Sequence, residues 1–240
     1  MSSTSSPTRA DSTVRTPRRL DGCHDGKVLL AEEFVLLALD PDGRPAHGLS
    51  NQPAAAVGVT GALVTELVQD GHVDIDDGRI RLTGTRPTNR LLAEVLDSVA
   101  GHEGKKLKSR LGSVKHSGWS EVVDAMVASG VVGREKDLLR PTRHPVTDQA
   151  AHASLLAEVR AAASGDGPIG PRIATLLALA GPSQLLEVVA PARSDRAKAK
   201  KRIAAAAEQV PAAAAVKHVI QSMEAAVAIA ATATVVASSS

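Results

Sequence analysis

The run at residues 29–40, LLAEEFVLLALD, constrains this chain most, because apolar side chains fill it except at Glu32, Glu33 and the closing Asp40. A helix with so narrow a polar strip is buried on most sides, so it belongs at the centre of a globular domain. It is too short to cross a bilayer, which takes roughly twenty residues. Whatever packs around it is built mostly from small aliphatic groups, since the 240 residues include one Phe, one Trp and no Tyr. That bias favours packed helices over a sheet sandwich. The expected architecture is therefore mainly α, a single globular helical domain at residues 27–240 with small β-hairpins. Residues 1–26 are rich in Ser, Thr and Arg with almost nothing apolar, and are expected to be a disordered tail.

Cys23 is the one cysteine, so no intrachain disulfide can form and a reducing cytoplasm is the natural compartment. Arg18-Arg19 and Leu20-Asp21-Gly22-Cys23 follow no apolar segment, which an export signal or lipoprotein signal requires. The formal charge of +2 is close to neutral. Binding to membrane or nucleic acid has to come from local clusters.

Along the chain, Asp40-Pro41-Asp42-Gly43 is a turn, and a helix starts at Pro53 and ends at Gly71. Gly58 and Gly61 inside that helix each cost about 1 kcal/mol against Ala, which close packing on a neighbour would offset. Val73 and Ile75, then Ile80 and Leu82, alternate with charged residues around Asp77-Gly78, which predicts a hairpin. Thr88 is expected to cap a helix reaching Ala100, and Leu107, Leu111 and Val114 are spaced for a short helix facing the core. Residues 117–129 read as another helix closed by Gly130. A second hairpin then pairs Val131-Val132 with Leu138-Leu139. Helix, glycine and hairpin thus occur twice, a repeat with a winged-helix look. The remainder reads as helices at 148–164, 172–180 and 183–190, one capped by Ser194 or Asp195, and a last one starting at Pro211. Its terminal stretch, residues 225–237, is expected to be a core helix.

The spacings that catalysis or metal binding would need are missing, among them His-Glu-x-x-His, Cys-His zinc patterns, Gly-x-Ser-x-Gly and a Walker lysine. No enzyme activity, cofactor or metal is expected. Adjacent residues on a helix point about 100° apart, so Glu32-Glu33 suits a solvated strip or a cap partner better than an acid and base pair. His144, before Pro145, suits a turn-stabilising role. Basic clusters stand at residues 105–115, at Arg140 with Arg143, and at residues 193–202. Each is either a solvated face or part of a surface attracting anionic lipid, at about 1 kcal/mol per cation.

The ordered series LLAEEFVLLALDPDGR, GALVTELVQDGHV, GVV, TRHPVTD and AKKRI resembles the GPP34 family of Golgi phosphoproteins over about residues 27–236, here as a bacterial member. The resemblance implies a non-catalytic peripheral membrane adaptor that binds phosphatidylinositol 4-phosphate and holds cytosolic tails of membrane proteins. The family positions for the phosphate, an aromatic and three arginines, fall at Asn51, Thr60, His116 and Trp119. None carries the family residue, and the planar guanidinium fork that grips phosphate is lost. Lys115 and His116 remain as an anion site, with Trp119 as an interfacial anchor or core residue. The expected partner is an anionic phospholipid or membrane surface, reached from the cytoplasm. The family also uses an exposed hairpin for contacts between protomers and with membrane. Here that hairpin holds Leu138, Leu139, Arg140, Arg143, His144 and Pro145, and a weak homo-oligomer is expected. The alternative is a winged-helix-like nucleic-acid-binding regulator. Residues 54–70 and 119–129 contain no Lys or Arg to reach base edges, so no nucleic acid partner is expected.

Overall fold

The computed structural model describes residues 28–46, 53–113, 118–136 and 142–238. The expected tail at 1–26 therefore lies outside the described residues. Helix α1 (Leu30–Ala38) stands at the centre and packs against α2 (Pro53–Gln69), α4 (Trp119–Ala128), α5 (Gln149–Ser164) and α6 (Pro171–Ala180). Phe34, Leu36 and Leu37 are fully buried in it, as the sequence of that run requires. Helices α3 (Arg90–Ala100), α7 (Leu186–Val189), α8 (Arg196–Ala207) and α9 (Ala213–Ser238) complete the mainly α architecture. The described elements share one continuous hydrophobic core.

Helix α2 lies between α1 and α9, and its two glycines set the approach. A Cβ at Gly58 would overlap the ring of Phe34 and come within 2.8 Å of Ser183 Oγ, while one at Gly61 would land on the thioether of Met223. The predicted hairpin is present as β1 (Val73–Asp76) and β2 (Arg79–Leu82), with Val73 opposite Leu82 and Asp76 opposite Arg79. Asp77 and Gly78 both take positive φ, 47° and 72°, as a two-residue turn of this hand demands. Val73, Ile75 and Ile80 face the core, and the charged residues between them face water.

Several elements differ from expectation. The cap of α3 is Asn89, whose side chain accepts from the Leu92 N–H at 3.2 Å, one residue past Thr88. Residues 107–113 form two short 3-10 turns; they bury Leu107 and Leu111 without a full helix, and Val114 lies outside the described residues. The expected partner of Val131-Val132, Leu138-Leu139, lies outside the described residues. Val132 bridges to Val146 and Glu135 to Arg143, because Val146 is the buried apolar residue on the returning arm. Arg140 also lies outside the described residues. The stretch 183–190 contains only the four-residue α7, since Gln184 turns with φ 61° and Ser183 Oγ donates back to the Leu179 carbonyl. Helix α9 starts at Ala213, after Ala212 at φ 54°, and not at Pro211. Its last buried residue among those described is Met223, and the side chains of residues 230–237 lie outside the described residues. None of residues 225–229 is buried, and Ile229 is 67% exposed, so apolar composition there does not mean a core helix. Among the described residues, no helix is long and apolar enough to cross a membrane.

The glycine contacts differ in how far they can yield. Alanine improves helix propensity by about 1 kcal/mol, but overpacking a rigid core costs about 1–3 kcal/mol. Gly58→Ala meets a fully buried ring and is expected to lose about 1–2 kcal/mol. Gly61→Ala meets a flexible Met side chain and should stay within about 1 kcal/mol of wild type. Urea midpoints check this, and equal midpoints for the two variants would contradict it.

Candidate functional site

The amino-terminal end of α1 sits in the core, where its free N–H groups need acceptors. Glu32 Oε2 accepts from the Leu29 N–H at 2.8 Å, and Glu66 Oε2, from α2, accepts from the Leu30 N–H at 2.6 Å. Both carboxylates are almost wholly buried. Arg172, from α6, closes the cluster. Its Nε donates to Glu33 Oε2 at 2.7 Å, its Nη2 to the Val28 carbonyl at 2.6 Å, and its Nη1 lies 3.5 Å from Glu66 Oε1. Burial pushes the Glu33 carboxyl above its ordinary value of 4.5, opposed by the charge and hydrogen bond of Arg172 and reinforced by Glu66 and Glu32. Glu32 is thus a cap partner, while Glu33 pairs with Arg172.

Of the positions carried by the family resemblance, Thr60 lies mid-way along α2, buried, its hydroxyl donating to the Ala56 carbonyl at 2.9 Å. Trp119 is the first residue of α4, half-buried against the core. The two helices touch. Asn51, Lys115 and His116 lie outside the described residues. Lys105, Lys106 and Lys108 are exposed just before them. Three of the six cations at 193–202 are tied down, Arg196 to Glu187 at 2.8 Å, Lys198 to Asp166 at 2.9 Å and Arg202 to the Gly167 carbonyl at 2.7 Å, while Arg193, Lys200 and Lys201 are exposed.

At the second hairpin, Glu135 and Arg143 exchange two backbone hydrogen bonds of 2.9 Å, and the Gly133 N–H donates to the Pro145 carbonyl at 2.8 Å. His144 Nδ1 lies 3.2 Å from the Gly133 carbonyl, which fits the turn-stabilising role expected of it. The His144 N–H donates to the Gly43 carbonyl at 2.8 Å. Gly43 has φ +75°, and any Cβ there would run into the His144 backbone, so the turn after α1 is seated directly on the hairpin base. Beside this junction a groove of about 1130 Å³ runs between the turn, Arg143, α5 and the α6–α7 connection. Arg44, Arg143, Arg160 and Arg196 line it, with Asp40 and Glu187. Four arginines so far apart in the chain give no local signal, and sequence reasoning missed their convergence.

A second groove of about 590 Å³, between α3 and α4, reaches Glu32, Glu94, Glu121 and Asp124. Neither Glu33 nor His144 lines it. Among the described residues, no group of three or more His, Cys, Asp or Glu could hold a metal ion.

A family model described as Golgi phosphoprotein 3 (GPP34) matches residues 30–223. The match runs from the first residue of α1 to Met223, the last buried residue of α9 among those described. A search among curated proteins found no match.

The carboxylate cluster makes a signed prediction. A carboxyl whose folded pKa is raised favours the fold while protonated and loses that contribution as pH climbs above 4.5. Glu33→Gln should therefore be more stable than wild type at neutral pH, with the gap closing as pH falls to the ordinary carboxylate range. Arg172→Met leaves the carboxylates uncompensated and is expected to cost about 2 kcal/mol, less than for a fully buried pair because 36% of the Arg172 side chain is exposed. Denaturation curves of the variants across pH test both; a wild type more stable than Glu33→Gln at neutral pH would show that the Arg172 pair outweighs burial.

Proposed function

The chain belongs to the Golgi phosphoprotein 3 (GPP34) family, and on that premise we propose that it is a non-catalytic peripheral adaptor that binds anionic phospholipid at the inner face of a membrane. The family match over residues 30–223 carries this reading. The family is known for binding phosphatidylinositol 4-phosphate, and cytosolic tails of membrane proteins are the further partners it suggests. In this chain the phosphate-reading positions are Asn51, Thr60, His116 and Trp119, and the Thr60 hydroxyl is already directed to its own helix. Attraction then rests on charge, from Lys115 and the exposed Lys105, Lys106 and Lys108, with Trp119 at the start of α4 as the apolar neighbour. Charge without a guanidinium fork draws the protein to anionic lipid in general and distinguishes one phosphate position poorly. Residues 27–240 act as the adaptor domain in this reading, with 1–26 as its tail.

Sedimentation with vesicles tests it. Phosphatidylserine vesicles should pellet the protein at low salt and neutral phosphatidylcholine should not. Recovery should fall steeply as salt rises, because screening acts on exposed charge. Phosphatidylinositol 4-phosphate should show no advantage over a mixture of equal surface charge. Equal recovery from anionic and neutral vesicles defeats the proposal. The hairpin around residues 138–146 is the proposed contact for a weak homo-oligomer. Since Val146 is buried, the apolar residues to alter are Leu138 and Leu139. Leu138→Ser with Leu139→Ser should abolish any dimer seen by light scattering, and a dimer that persists places the contact elsewhere.

A further inference from the structure

We propose that the groove beside the hairpin base is a binding site for a phosphate monoester carried on an apolar body, with Arg44 and Arg143 as its anion clamp. The site is separate from Thr60 and Trp119 and does not depend on the adaptor reading. Its lining side chains carry four positive charges, from Arg44, Arg143, Arg160 and Arg196, against two negative, from Asp40 and Glu187, a net of +2. Arg160 and Arg196 are committed to the protein. Arg160 Nε donates to the Val188 carbonyl at 2.9 Å, and Arg196 pairs with Glu187 and reaches the Ala190 and Pro191 carbonyls. Asp40 is committed as well, accepting from the Arg44 N–H at 2.8 Å. The guanidinium groups of Arg44 and Arg143 have no hydrogen-bond or ion-pair partner among the described residues.

The backbone beneath these two arginines is fixed. The hydrogen bond from His144 to Gly43 joins the residues next to each of them. On one side the Asp40 N–H donates to the Arg44 carbonyl at 2.8 Å, and Gln149 Nε2 donates to the Pro41 carbonyl at 3.1 Å. On the other, Arg143 is held by its two backbone bonds to Glu135. On such a base the backbone is already ordered, so the cost of closing on a ligand is confined to the two arginine side chains. Two guanidinium forks offer more donors than one carboxylate can accept, whereas the three oxygens of a phosphate monoester can take both. The volume, about 1130 Å³, far exceeds a bare phosphate and is slightly above the range of small-molecule sites, roughly 300–1,000 Å³. Leu39, Leu156, Leu186 and Val188 supply the apolar walls for the rest of the ligand.

Calorimetric titration of the full chain tests this with three probes: dihexanoyl phosphatidic acid as a soluble monomer, glycerol 3-phosphate, and dihexanoyl phosphatidylcholine. The first should bind and the last should not. Arg44→Ala and Arg143→Ala should each weaken binding by about tenfold or more, as expected for a lost charged hydrogen bond. Arg44→Lys and Arg143→Lys keep the charge but not the fork and should fall between. Arg81→Ala, on the exposed face of β2, should leave binding unchanged. Glycerol 3-phosphate binding as tightly as the short-chain lipid would support the clamp with a soluble ester as its source; binding of the lipid alone would support it with a lipid headgroup. Failure of both phosphate monoesters to bind, or binding that survives the double alanine substitution, overturns the proposal. Sedimentation of the same variants with phosphatidylserine vesicles separates the two readings, since the adaptor surface contains neither Arg44 nor Arg143.

Discussion

The hydrogen bond from the Leu30 N–H to the Glu66 carboxylate, 2.6 Å long and buried, is the contact on which the rest of the architecture depends. A central helix solves the burial of its apolar sides easily, but its first turn brings unpaired N–H groups into the core. Glu32 answers from within the helix and Glu66 from α2, and their negative charge also suits the positive end of the helix dipole. Placing so much negative charge there would be untenable without a cation. Arg172 supplies it from α6, so one polar hub joins α1, α2 and α6.

With almost no aromatic side chains, the chain fills its core by bringing helices close together. Gly58 and Gly61 let α2 approach α1 on one side and α9 on the other, and alanine, valine and leucine occupy what remains. This closeness makes the centre rigid and leaves the polar variation to the periphery. The turn after α1 is where rigidity and periphery meet. Its Gly43 is pressed against the His144 backbone, and through that contact the central helix fixes the base of the second hairpin.

Features governed by neighbours in sequence were legible. The apolar run became α1, Asp77-Gly78 became the hairpin turn, and the two helix glycines proved to mark close contacts. Features governed by distant neighbours were not. Glu66 reaches Leu30 across 36 residues, and no local pattern distinguishes it from a solvated glutamate. The bridge from Val132 to the buried Val146 likewise follows from burial and not from any local pattern. Residues 225–229 misled in another way, since alanine is as content on an exposed helix as in a core. At the candidate site, helix membership of Thr60 and Trp119 could be read, whereas the internal bond of the Thr60 hydroxyl follows only from its burial in α2.

The placement of Trp119 has an optical consequence. The chain has no other tryptophan and no tyrosine, so nearly all its emission under ultraviolet excitation comes from one indole at the first residue of α4. Half-buried there, it senses solvent at that helix end and little of the hub at α1. Fluorescence is therefore a local gauge in this protein, and far-ultraviolet dichroism the global one. Melting curves from the two that fail to superimpose would mark the start of α4 as a segment that opens ahead of the core.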